Sequence, residues 1–127
     1  GALVAAPALG RRAGRPAAVA LAVVGVATLG AALWPLGVVR GGRQDMLHLA
    51  FGATGYVSLS LLPLLGGLGR GGRERLASYA LGAVTSACLL GTVPAEAVSG
   101  GLQRTGFAAA HLWLLAELWG VLRRPGR

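Results

Sequence analysis

Four long stretches of the chain contain almost no charged residues, and the short segments that separate them hold nearly all the arginines. The stretches cover residues 17–39, 46–66, 76–94 and 105–122. Each is close to the ~20 apolar residues that an α-helix needs to cross a ~30 Å hydrocarbon core. An α-helix also pairs its own backbone N–H and C=O groups, as lipid requires. The pattern therefore predicts an all-α, polytopic transmembrane helix bundle with four complete spans within residues 10–127.

Residues 1–9 are apolar but too short to cross a bilayer, and three arginines follow them closely. In a cleaved signal peptide the basic residues precede the apolar region, so the order found here argues against one. We predict that residues 1–9 are the tail of a preceding transmembrane helix of the same protein.

The arginines are distributed unevenly between the two ends of the predicted spans. The chain is 54% hydrophobic with a formal net charge of +8, and nine of its arginines fall in three alternate segments against three in the other two. Short cytoplasmic loops carry such an excess. We therefore predict a multi-pass protein of the cytoplasmic membrane with a cytoplasmic C-terminus and membrane lipids as partners. Nucleic-acid binding is disfavoured, because the basic residues punctuate apolar spans instead of sharing one face. The absence of Lys, Ile and Asn points to a GC-rich bacterial genome.

Small residues recur at helical spacing within three of the spans. Association of helices in lipid depends on close packing and a few hydrogen bonds, which small side chains allow. The predicted contact faces are Ala50, Thr54 and Ser58 in the second span, Ser78, Gly82 and Ser86 in the third, and Ala116 with Gly120 in the fourth. Such faces also permit pairing with other membrane helices or with a second copy of the chain.

Two histidines lie towards one end of the predicted bundle. Asp45 and His48 occupy one face at the start of the second span, and His111 lies about two turns inside the fourth. Together with Glu96 they form a weak candidate set for a divalent metal, and the histidines for axial haem ligation. No H-x-x-x-H or H-E-x-x-H pair is present within one helix. Interhelical hydrogen bonding by the histidines and capping by Asp45 are favoured, with no metal and no cofactor.

Glu117 is the most deeply placed charged residue, in the last predicted span. A charge at that depth needs a partner, and Arg124, Arg75, Ser78 and Tyr79 are the candidates. A carboxylate that is protonated near neutral pH would instead suit a small proton-coupled transporter. Because Glu117 lies within two turns of the predicted interface, it can also stay charged and hydrated.

The chain carries no motif typical of an enzyme. There is no Walker loop, G-x-S-x-G, C-x-x-C or zincin helix, and the single cysteine, Cys88, lies in the middle of the third span. We therefore expect no catalytic activity.

Three features occur in an order that resembles a bacterial membrane family known as domain of unknown function 998. They are the Gly30 to Pro35 turn, the Asp45 and His48 pair, and the GLQR run at 101–104 that leads into the last helix. The resemblance implies a six-helix protein whose first helix and most of whose second are absent from this sequence, and it implies no activity. The alternative, a small proton-coupled exporter, is similar in length to the small multidrug resistance family. That family carries its glutamate on the first helix, whereas Glu117 lies on the last.

Overall fold

The computed structural model describes residues 2–37, 41–92 and 96–123. These residues form five α-helices, and no strand occurs among them. The helices are α1 (Ala2–Ala13), α2 (Arg15–Leu33), α3 (Arg43–Gly67), α4 (Gly72–Gly91) and α5 (Ser99–Leu122), with a short 3-10 helix (Glu96–Val98) before the last. The all-α prediction is confirmed.

Three of the helices, α2, α3 and α5, are long and apolar enough to cross a membrane. The third predicted span, residues 76–94, differs from its helix, since α4 begins with a charged turn and ends at Gly91. Its apolar part therefore has about 16 residues, or about 24 Å of helix. The described residues thus contain three helices that are both long and apolar enough to span a membrane, whereas four spans were predicted. The first span also ends earlier than predicted, at Leu33, because Pro35 disfavours helical geometry at Trp34.

Helices α2 to α5 form an up-and-down bundle in which consecutive helices run antiparallel. Close approaches at glycines fix the register, because a Cβ at each of them would collide with the neighbouring helix. Gly30 of α2 lies under the ring of Phe51 in α3, Gly82 of α4 under Leu64 of α3, and Gly106 of α5 beside Cys88 of α4. Helices α3 and α5 run parallel, with Gly66 against the indole of Trp113.

Helix α1 folds back onto α2 at a single residue. Gly14 has φ +89°, a left-handed conformation that side chains with a Cβ rarely adopt. As a result Gly10 packs against Ala18, where an added Cβ would lie 3.3 Å from the Ala18 Cβ. Residues 2–9, predicted as the tail of a preceding helix, are the first part of α1, which continues to Ala13 and contacts α2, α3 and α5.

The core is built mainly from alanine and leucine. Its buried cluster joins α1, α2, α3 and α5, and consists of Ala6, Ala13, Ala17, Ala20, Leu21, Leu59, Leu62, Ala110 and Trp113. Many large apolar side chains lie on the outside of the bundle instead, among them Leu33, Leu90 and Leu115 at 72%, 71% and 66% exposure. Such an apolar exterior is expected for helices whose solvent is lipid.

The predicted small-residue faces are only partly correct. In α4, Ser78 and Gly82 are buried in helix contacts as predicted, Gly82 against α3 and Ser78 against α5, while Ser86 is only partly buried. In α3, however, Ala50 and Thr54 are exposed, and the packed face carries Gly55 and Gly66. In α5, Ala116 is exposed and the buried face instead comprises Gly106, Ala109, Ala110, Trp113 and Glu117. Alanine and glycine are common throughout this chain, so the spacing of small residues alone does not identify the contacts.

Candidate functional site

A buried ion pair ties the loop between α3 and α4 to the inner face of α5. The Nη1 and Nη2 groups of Arg70 donate to Oε1 and Oε2 of Glu117, which gives a bidentate contact. Both side chains are almost fully shielded, at 8% exposure for Arg70 and 4% for Glu117. Planar guanidinium and carboxylate groups match each other in this geometry, and such pairs are among the strongest hydrogen-bonded contacts in proteins.

The glycine-rich end of α3 places Arg70 at this position. Helix α3 ends with the Leu68 N–H donating to the Leu65 carbonyl, and the Arg70 N–H then donates to the carbonyl of Gly67. A Cβ at Gly67 would lie 2.7 Å from the ring of Tyr79, so only glycine lets α4 approach so closely. The tight loop thus directs the Arg70 side chain inward, towards α5.

The electrostatics at Arg70 favour its charged form. The hydrogen bonds that Arg70 donates to Glu117 raise the pKa of Arg70. Burial opposes this rise, and the negative charges of Glu117 and Glu74 add to it. Glu74, one turn into α4, lies 3.9 Å from Nη1 of Arg70 but is 61% exposed. An exposed pair of this kind contributes little, so Glu117 is the partner that holds Arg70 in place.

A second buried polar contact lies one turn of α5 away from Glu117. The Nε1 group of Trp113 donates to the Oγ of Ser78 in α4 at 2.9 Å, and both residues are buried. The edge of the same indole lies against Gly66 of α3. The two contacts, one ionic and one neutral, therefore join α3, α4 and α5 at the same end of the bundle.

Arg70, the partner of Glu117 among the described residues, is not one of the partners predicted for it. Ser78 bonds to Trp113, while Arg75 and Tyr79 have exposed side chains on the following helix. Arg124 lies outside the described residues. From the sequence, Arg70 is one of the charged residues of a predicted loop, six residues before the predicted third span. The position of Arg70 just after the end of α3 is the signal that could have identified it. Because α3 and α5 run parallel, they end on the same side of the bundle, and Glu117 lies near the end of α5.

Asp45 has a different role from the predicted helix cap. It lies in the first turn of α3, where a carboxylate is favoured by the helix dipole, but the N-cap residue is Gly42, which has no side chain to cap the helix. The carboxylate of Asp45, which is buried, accepts hydrogen bonds from the backbone N–H groups of Gly37 and Gly41 at 2.6 and 2.9 Å. Asp45 therefore ties the loop between α2 and α3 to the start of α3.

The histidines each contact backbone carbonyl groups. His48 Nδ1 lies 2.9 Å from the carbonyl oxygen of Trp34 and 3.1 Å from that of Ala31, which is the kind of interhelical contact predicted for it. His111 Nδ1 lies 2.7 Å from the Phe107 carbonyl of its own helix, so its predicted interhelical bond is replaced by a local one. Glu96 lies in the 3-10 helix before α5. Among the described residues no three His, Cys, Asp or Glu side chains are placed to hold a metal ion.

Hollows on the described part of the bundle lie outside these contacts, and two of them bear on function. An apolar groove of about 200 Å³ runs between α2, α3 and α5 and is lined by Phe51, Tyr56 and Phe107 among others. A larger hollow of about 380 Å³ lies between the α1–α2 turn and the end of α3. Neither is lined by a catalytic combination of nucleophile and base.

Comparison with known proteins gives one match. A family model described as "Protein of unknown function (DUF998)" matches residues 1–120. No curated protein and no solved structure matches the chain. The resemblance predicted from the sequence is therefore confirmed at the level of the family.

Proposed function

This chain belongs to the DUF998 family of proteins of unknown function, and we propose that it serves as a non-catalytic component of the bacterial cytoplasmic membrane. It is a membrane protein whose α2, α3 and α5 have the length and apolarity of spans. In the proposed arrangement the C-terminus is cytoplasmic, and the protein associates with lipids, with other membrane helices or with further copies of itself. The six-helix organisation implied by the resemblance, with earlier helices beyond this sequence, remains part of the proposal.

The orientation is supported by the way in which the bundle gathers the basic segments. The α1–α2 turn, which contains Arg15, lies beside the end of α3, because residues of both line one hollow. The following loop supplies Arg70, which contacts α5 one turn before its end. The α1–α2 turn, the loop after α3 and the end of α5 therefore lie at one end of the bundle. This end is here called the arginine-rich end, because these segments and the residues that follow α5 in the sequence hold nine arginines. Short segments of this composition remain on the cytoplasmic side.

The observation that carries the non-catalytic assignment is the Arg70–Glu117 pair itself. It is the most buried charged contact among the described residues, and it joins two elements of the scaffold instead of facing a hollow. A carboxylate that must take up and release protons would have to leave the guanidinium buried without its counter-charge at every cycle, which is costly. The pair therefore suits a fixed structural contact.

The second candidate, proton-coupled transport through Glu117, draws support from one observation, a carboxylate inside a candidate membrane span. Ionisable residues in such positions often mark ion pathways. Under this hypothesis Arg70 would release Glu117 when the carboxylate is protonated. Metal or haem binding at His48 and His111 ranks below it, because both Nδ1 atoms contact backbone carbonyls.

A proton-binding measurement separates the first two candidates. The purified protein is reconstituted in lipid, and infrared difference spectra are recorded between roughly pH 5 and pH 9. If the Arg70–Glu117 pair is a fixed structural contact, the difference spectra of the unmodified protein should contain no carbonyl band of a protonated acid that is missing from the spectra of Glu117→Gln. Glu74→Gln is the matched control, since Glu74 is exposed. A band lost only in Glu117→Gln would overturn the structural assignment in favour of proton coupling.

The orientation is tested independently with reporters fused to the C-terminus. A fluorescent protein that matures only in the cytoplasm should be bright, and alkaline phosphatase, which is active only in the periplasm, should be inactive. The reverse result would overturn the proposed topology. A haem Soret band or stoichiometric metal lost in His111→Ala would likewise establish the cofactor-binding alternative.

A further inference from the structure

We propose that the hollow between the α1–α2 turn and the end of α3 binds the phosphate headgroup of an anionic phospholipid. The inference rests on the proposed arrangement in the membrane, because it places the arginine-rich end at the level of the lipid headgroups. The hollow has a volume of about 380 Å³ and is called the headgroup cavity below.

The walls of the headgroup cavity leave backbone accessible. Four of the residues that line it are glycines, and Gly10 and Gly14 come from the α1–α2 side, while Gly66 and Gly69 come from the end of α3. A Cβ at Gly69 would meet no heavy atom within 4 Å, so the space in front of it is open. A compact polar headgroup can therefore approach the main chain closely in this region.

Positive charge adjoins the cavity on the α2 side. Arg15 stands between Gly14 and Pro16, which both line the cavity, and its side chain is exposed. Within the described part of the chain Arg15 forms no ion pair. Arg15 also begins α2, a helix of 19 residues whose first N–H groups and dipole add to the positive potential.

Acidic residues do little to neutralise this end. The three basic segments at the arginine-rich end and the helix turns beside them contain nine arginines but only Glu74 and Glu117. Glu117 is occupied by Arg70, which follows Gly69 of the cavity wall. The Arg70–Glu117 pair thus holds the wall in position and removes the nearest buried negative charge. The remaining excess of positive charge complements an anionic ligand.

The position of the cavity favours a lipid over a soluble phosphate. It lies where two candidate spans, α2 and α3, end, which is the level of the headgroups. Its lining includes Leu65 and Leu68, and Leu68 is 64% exposed. An acyl chain can therefore continue from the cavity along an apolar surface. Basic pockets between membrane helices on the cytoplasmic side are suited to such headgroups.

Binding is measured by native mass spectrometry or by thermal stabilisation in detergent, with phosphatidylglycerol, phosphatidylcholine and inorganic phosphate as separate probes. Phosphatidylglycerol should bind at least tenfold more tightly than phosphatidylcholine, and inorganic phosphate should not compete at equal concentration. Equal affinity for the two lipids, or full competition by inorganic phosphate, would overturn the assignment to an anionic lipid.

Two variants locate the site. Gly69→Leu fills the cavity without changing any charge and should lower phosphatidylglycerol affinity about tenfold, whereas Gly71→Leu, which is outside the lining and also faces open space, should not. Arg15→Gln should lower the affinity for phosphatidylglycerol roughly fivefold. The control is Arg104→Gln, which changes an exposed arginine at the other end of the bundle and should leave the affinity unchanged. Because Arg15 is exposed, its variant keeps the test valid if Gly69→Leu unfolds.

If Gly69→Leu and Arg15→Gln both bind like the unmodified protein, the headgroup cavity is not the site. That result leaves the reporter fusions and the infrared measurement untouched, so failure of this inference is distinguishable from failure of the proposed function.

Discussion

Removal of Arg70 is the sharpest test of how this bundle is held together. Arg70→Ala deletes the guanidinium and leaves the carboxylate of Glu117, which is 4% exposed, without its bidentate partner. Removing one member of a buried ion pair costs about 3–5 kcal/mol, because the remaining charge stays desolvated. Since Glu117 lies near the end of α5, where interfacial water can reach it after the change, we expect about 3 kcal/mol. That corresponds to a roughly hundredfold loss in the folding equilibrium constant.

The measurement is the free energy of unfolding in mixed micelles, titrated with a denaturing detergent. Glu117→Gln should cost a similar amount, because it leaves the buried Arg70 guanidinium with only the exposed Glu74 carboxylate, 3.9 Å away, as a counter-charge. Glu74→Gln is the matched control: the Arg70–Glu74 contact is 3.9 Å long with Glu74 61% exposed, so the cost should stay below about 1 kcal/mol.

The double variant Arg70→Met with Glu117→Leu supplies the decisive comparison. Replacing both members of a buried pair by apolar residues is often neutral or stabilising, so the double variant should be more stable than Arg70→Ala or Glu117→Gln. Arg70 keeps its charge through the assay range, because the hydrogen bonds that it donates to Glu117 raise its pKa above the ordinary value of arginine. Its contribution is therefore complete below the pKa of the unfolded chain and is lost only above the raised pKa of the folded protein. Costs below about 1 kcal/mol for both single variants would refute the reasoning.

Three further substitutions test the packing and the opposite end of the bundle. Ser78→Ala removes the acceptor of the buried Trp113 indole N–H and should cost about 1–3 kcal/mol in the same titration, and no loss would show that the N–H finds another acceptor. Gly66→Ala should cost about 1–3 kcal/mol because its Cβ would lie 2.2 Å from the Trp113 ring, whereas Gly52→Ala, which faces open space in the same helix, should stabilise by up to about 1 kcal/mol. Asp45→Ala should speed amide hydrogen exchange in the loop before α3, because the N–H groups of Gly37 and Gly41 lose their hydrogen-bond acceptor. Unchanged exchange would contradict the role of Asp45 in this loop.

Hydropathy was sufficient to predict the all-α bundle because the apolar length of a segment bears directly on whether it can span lipid. The ends of the helices were harder to predict from the sequence. The apolar run at residues 76–94 continues past Gly91, where α4 stops with the Thr92 Oγ1 donating to the Leu89 carbonyl at 2.6 Å. Nothing in an average of hydropathy marks such a local hydrogen bond. The same reason explains the early end of α2 at Leu33, which depends on the conformation at Trp34.

Of the two residues in the buried ion pair, the sequence singled out one. Glu117 stood out because a carboxylate inside an apolar span needs a partner. Its partner did not, because the choice among arginines depends on the packing of α5 beside α3, and helix order along the chain does not determine which non-consecutive helices touch. Asp45 illustrates the same limit. Its place in the first turn of α3 was visible, but the loop conformation that brings the N–H groups of Gly37 and Gly41 to its carboxylate was not.

Stability and orientation in this bundle depend on different properties of the same arginine. Arg70 is one of nine arginines in the segments assigned to the cytoplasm, and three lie in the opposite segments. Removing it leaves eight against three, and acidic partners such as Glu117 weigh little in the orientation of membrane proteins. We therefore expect that Arg70→Ala keeps the C-terminus on the same side in the reporter assay while it destabilises the fold in micelles. A reporter signal that reverses in Arg70→Ala, with unfolding unchanged, would show that Arg70 acts on topology and not on the packing of α5.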